Sequence, residues 1–141
     1  MKRFLLFLLL LSPAALFSQT AKFALLDAKN PLIGEWEWVA HDTASPAAPF
    51  TDQDWIYFRF SAGAEQSMGA LTWDSDKGYG CPSLFLAFSN GKTISGTLSS
   101  SCSPELKGKK FSFDYEYDYA HDQLLVTVRG VTSVYKRRPA P

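Results

Sequence analysis

The chain has 141 residues, 46% hydrophobic and 15% aromatic, with 14 basic residues against 14 acidic ones. That length suits one domain with its own core. The charge balance argues against nucleic acid as a partner, and two cysteines and two histidines, far apart, argue against a zinc cluster.

At the start, Lys2 and Arg3 precede an apolar run from Phe4 to Leu11, a break at Ser12 and Pro13, and small residues to Ser18. This is the pattern of a secretory signal. The run is shorter than the roughly 20 residues that span a bilayer, so no membrane anchor is expected. Cleavage is expected after Ser18, with no cysteine nearby to accept a lipid. Losing Lys2 and Arg3 leaves 12 basic residues against 14 acidic ones. The expected product is exported, to the periplasm or beyond the cell. It comprises an N-terminal extension (19–30), with room for a short helical turn within 19–29, and a single domain (31–138).

Beyond residue 30 the chain reads as eight short strands rich in Val, Thr and aromatic residues. They are expected at Ile33–Ala40, Asp54–Ala62, Ser67–Asp74, Ser83–Ser89, Lys92–Ser99, Lys109–Asp118, Gln123–Arg129 and Thr132–Arg137. The clearest runs from Lys110 to Asp118, where Phe111, Phe113, Tyr115 and Tyr117 alternate with polar residues, so that one face is buried and the other wet. Long connections fall at 41–53, with Pro46 and Pro49, at 75–82 and at 99–108.

Asn90-Gly91 marks a hairpin, because a type I′ turn needs positive φ at both central residues. With Ser89 opposite Lys92, Phe85 faces Gly96, Ala87 faces Ile94, and Cys81 lies near Ser100, two residues from Cys102. In an oxidising compartment Cys81 and Cys102 are expected to form a disulfide across the open end of this hairpin. Both faces of the hairpin carry apolar residues, with Phe85, Ala87, Ile94 and Leu98 on one and Leu84, Leu86 and Phe88 on the other. The second row is either covered, lines a cavity or meets a partner.

Eight sequential strands with mostly short links predict an all-β fold, an eight-stranded antiparallel up-and-down β-barrel, because closure removes unpaired edges. A β-sandwich is the alternative. Burying each large ring contributes about 1.5–3 kcal/mol, so no cofactor is needed to hold the core.

Gly34-Glu35-Trp36 on the first strand and Tyr135-Lys136-Arg137-Arg138 on the last, together with the eight strands, resemble the lipocalin or calycin superfamily. The resemblance implies that Trp36 closes one end of the barrel. It also implies that Arg137 or Arg138 packs over the Trp36 ring in a cation–π contact.

No catalytic or metal-binding constellation is visible, and no enzyme is expected. Asp74-Ser75-Asp76-Lys77-Gly78 opens like a calcium loop, but the closing Glu position falls on Phe85. The His41-Asp42 and His121-Asp122 neighbours have no marked nucleophile. What remains is binding. The leading expectation is an exported lipocalin-like protein for a small apolar or amphipathic ligand, lined by Trp55, Tyr57, Trp73, Phe111, Phe113, Tyr115 and Tyr117, all of which also suit a plain core. The alternative is an envelope protein-binding module, an inhibitor or assembly factor, acting through loops or an exposed strand face made by Leu84, Leu86 and Phe88.

Overall fold

A computed structural model describes residues 22–42, 55–74 and 79–140. The signal segment, the connection holding Pro46 and Pro49, and the 75–78 turn lie outside the described residues.

The strands are β1 (Ala24–Leu25), β2 (Gly34–His41), β3 (Trp55–Phe60), β4 (Ser67–Asp74), β5 (Tyr79–Phe85), β6 (Phe88–Ser89), β7 (Thr93–Ser101), β8 (Lys110–Asp118), β9 (Gln123–Val128) and β10 (Val131–Arg137). A single 3-10 turn, Pro104–Leu106, stands between β7 and β8. Strands β2, β3, β4, β5, β7, β8, β9 and β10 each pair antiparallel with the next, and β10 returns to β2. The sheet therefore closes into the eight-stranded up-and-down barrel that the strand count predicts, rather than a sandwich.

Alternation along each strand decides which side chains enter the barrel. On β8 the polar Lys110, Ser112, Asp114 and Glu116 are exposed, while Phe113 on the opposite face is buried. Trp36, Phe58, Phe60, Phe85, Ile94, Leu124 and Val126 are fully or almost fully withdrawn from solvent and form the centre of the core. Their rings meet at contact distances: Phe58 lies 5.1 Å from Phe60, 5.3 Å from Phe113 and 5.3 Å from Tyr135. Phe85 lies 4.8 Å from Phe111 at 82°, the edge-to-face geometry that ring quadrupoles favour.

The hairpin around Asn90 departs from the expected register. Ser89 pairs with Ile94, Phe88 with Ser95, and Phe85 with Leu98. The turn instead centres on Gly91 and Lys92. Gly91 alone takes positive φ, at 92°, and the Asn90 side-chain oxygen accepts from the Lys92 and Thr93 amides at 3.0 and 2.7 Å. Asn90 thus acts as a bracket for the turn, not as one of its left-handed residues. The shift is two residues, so every side chain keeps its expected face. The strand itself is interrupted: Leu86 and Ala87 leave the ladder between β5 and β6.

The N-terminal extension contributes no helical turn at the described residues. It adds β1 to the edge of β6, with Ala24 opposite Ser89 and Leu25 opposite Phe88. It then buries Leu26 against the barrel, and Leu32, just beyond it, joins the same core. The Cys81–Cys102 disulfide is formed, with Cα atoms 5.5 Å apart, and the Cys102 amide donates to Pro82 O at 3.1 Å. It ties the end of β7 to β5, the pairing expected of the two cysteines.

Candidate functional site

One end of the barrel is sealed by polar contacts around a single ring. Trp36 is 0% exposed, and its Nε1 donates to Leu32 O at 2.8 Å. Arg137 lays its guanidinium 4.2 Å from the centre of that ring. Nη1 and Nη2 of Arg137 donate to Ile33 O and Pro31 O at 2.7 and 2.6 Å, and Nε to Asp122 at 3.1 Å. Gly34 makes this possible: its φ is 127°, and a Cβ there would stand 2.7 Å from Arg137 Nη1. Of the two arginines left open by the sequence, Arg137 is the one over Trp36. Arg138 points outward, 5.8 Å from the Tyr57 ring and 3.8 Å from Glu37. This corner is structural, and the residue that completes it, Asp122, gave no sequence signal because its partner is 15 positions away.

The same corner sets an acid limb. The Tyr117 hydroxyl donates to Asp122, and this bond, with the Arg137 guanidinium beside it, holds the Asp122 carboxyl below the usual carboxylate range. His121, 2.7 Å from Asp118, does the same to that carboxyl. A depressed folded value means stabilisation that is complete above about pH 4, the ordinary Asp value, and is lost as pH falls through the folded value. The urea midpoint should therefore fall more between pH 7 and pH 3 in the wild type than in Asp122→Asn. Equal falls would place the acid sensitivity elsewhere.

The aromatic residues expected to line a ligand cavity divide into three groups. Trp55 and Phe113 are buried, and with half-buried Phe111 they pack ring to ring: Trp55 lies 5.2 Å from Phe58 and 5.4 Å from Phe111, and Phe111 lies 5.8 Å from Phe113. Tyr115 and Tyr117 sit at the sealed end, Tyr115 bonding Ser89 Oγ at 2.8 Å and Tyr117 meeting Trp36 edge-on at 5.9 Å. Tyr57 does not join the others inside. A register shift between Trp55 and Tyr57 breaks the alternation, so Trp55 and Phe58 are both buried while Tyr57 lies outside, beside Arg138 and Glu35. The side chain of Trp73, on β4, lies outside what the structure describes.

The His121–Asp122 neighbours take separate partners. His41 Nδ1 lies 3.0 Å from Ser133 Oγ, whereas His121 turns to Asp118 and Asp122 to Arg137. Among the described residues no group of three or more His, Cys, Asp or Glu converges to hold a metal ion.

Concave surface is found on the outer wall. Where Leu86 and Ala87 leave the ladder, a groove of about 680 Å³ opens over β7 and β8. Leu86, Phe88, Gly96 and Phe111 line it, with Ser95, Thr97, Ser112 and Lys110 around them. Gly96 lets the Phe111 ring and the Leu86 carbonyl close in beside it, since a Cβ there would meet that ring at 2.8 Å and Leu86 O at 2.9 Å. Two members of the outer apolar row that the sequence left unassigned, Leu86 and Phe88, are therefore walls of this groove; the third, Leu84, is half-buried and does not line it. No protein-family model, curated protein or solved structure matches this chain.

Proposed function

We propose that this chain is an exported, lipocalin-like binding protein, non-catalytic, whose ligand is a small amphipathic molecule with an apolar tail and an anionic head. The observation that carries the reading is the outer groove. Its volume lies within the range of small-molecule sites. Its walls are apolar at Leu86 and Phe88, its rim offers the hydroxyls of Ser95, Thr97 and Ser112, and Lys110 supplies one positive charge. The inner aromatics Trp55, Phe58, Phe111 and Phe113 pack ring to ring, which favours this wall over them as the ligand site. The Trp36–Arg137 seal supports the family resemblance, and the disulfide supports an oxidising destination.

The test is a titration of the purified, disulfide-bonded protein with dodecanoate, read by native mass spectrometry and intrinsic fluorescence. One-to-one saturable binding is expected, weakened about tenfold in Leu86→Asp, the loss of one apolar contact of ordinary size. Lys110→Glu is expected to weaken dodecanoate binding and leave dodecanol binding unchanged. Wild-type affinity in both variants would sink the assignment.

A second reading rests on a separate observation. Phe23 and Leu25 are 47% and 38% exposed, and Leu25 pairs with Phe88 at the rim of the groove. The apolar surface thus continues onto the sheet edge, as a protein-binding module of the envelope requires. A protein partner would depend on Phe23 and Leu25, whereas dodecanoate binding would survive their replacement by Ser.

A further inference from the structure

We infer that a second groove, at the sealed end of the barrel, binds an organic ammonium cation between the tyrosine rings of β8 and the carboxylates that alternate with them. The groove holds about 750 Å³ and lies between the Asn30–Pro31 turn, the Gly91–Thr93 hairpin and the end of β8. Tyr115, Tyr117 and Tyr119 line it, with Asp114 and Glu116. Tyr117 and Tyr119 stand perpendicular, at 90°, with centroids 4.4 Å apart, so their rings form two walls of a corner. Tyr119 is 78% exposed.

Three features favour a cation there. Ring faces carry negative potential and attract a cation held within about 6 Å, the basis of aromatic cages for quaternary ammonium groups. The other polar groups are already committed, which fixes the walls: Tyr115 to Ser89, Tyr117 to Asp122, and Asp114 to Thr93 Oγ1 at 2.8 Å. Of the charged side chains lining the groove, Asp114 and Glu116 outnumber Lys92 on the hairpin, leaving a net negative site. The neighbouring Asp118 and Asp122 are paired with His121 and Arg137. A bare metal ion is a poorer occupant, because it wants converging oxygen ligands, and no such cluster forms among the described residues. A methylated ammonium instead needs polarisable faces and a diffuse negative field, which this corner supplies. The site does not rest on the outer groove and stands or falls separately.

The experiment is an NMR titration of the purified, disulfide-bonded protein with tetramethylammonium chloride, against sodium chloride at equal ionic strength. Saturable shifts are expected at the amides of Asp114 to Tyr119 and of Lys92 and Thr93. Tyr119→Ala, on the surface and outside the core, should weaken binding about fivefold or more, Glu116→Gln less, and Lys92→Gln should strengthen it. Shifts reproduced by sodium chloride, no saturation, or unchanged affinity in Tyr119→Ala would overturn the site. Co-sedimentation with phosphatidylcholine vesicles, lost in Tyr119→Ala, would assign the cation to a lipid headgroup; soluble binding without co-sedimentation would assign it to a free small molecule.

Discussion

Replacing Trp36 with alanine should lower the unfolding free energy by about 3–5 kcal/mol, the cost of emptying a buried indole site. The ring is fully buried, and three independent groups use it: Leu32 O accepts its N–H, Arg137 covers one face, and Tyr117 meets it edge-on. Removing it leaves the Arg137 guanidinium over a void and Leu32 O without its donor. For a domain whose whole stability is about 5–15 kcal/mol, the variant would be marginal. A urea titration gives the number, and an unchanged m-value would show that the folded state keeps its compactness. Arg137→Met should cost less, because the thioether retains packing on the ring while losing the two carbonyl bonds and the Asp122 pair. If Trp36→Ala costs under about 1 kcal/mol, the seal is not what holds the barrel end.

The features legible in the sequence were those with a local period. Phe111 to Tyr117 show which face of β8 is wet without any knowledge of its neighbours, and eight such segments with short links leave closure as the solution for their edges. Gly34, Trp36 and a terminal arginine likewise announced the seal. What escaped was set by irregularities that the period cannot register. The bulge between Trp55 and Tyr57 turns Tyr57 outward, where charged neighbours satisfy its hydroxyl and its ring. The interruption at Leu86 and Ala87 changes an ambiguous apolar row into a groove. At Asn90 the side chain competes for the turn amides, displacing the turn by one residue. Leu26 gave no signal, since it is buried by a segment without periodic pattern, and Tyr119 owes its exposed place to a turn.

Severing the disulfide should cost about 3 kcal/mol, and the loss should depend on redox state in a way that no core substitution imitates. Cys81 and Cys102 are 21 residues apart, and closing a loop of that size restricts the unfolded chain by about this much. The native side adds to it. Cys81, on β5, is fully buried, and the bridge holds the end of β7 where Cys102 N–H donates to Pro82 O. In Cys81→Ala combined with Cys102→Ser, the urea midpoint should fall and become indifferent to dithiothreitol. The wild type should move to nearly the same midpoint when reduced. Because the remaining margin is then a few kcal/mol, a reducing compartment would hold a measurably weaker barrel than an oxidising one. That difference would favour an oxidising compartment for this fold independently of any signal segment. A reduced wild type as stable as the oxidised one would remove that preference, and the case for an oxidising destination would return to the first 18 residues alone.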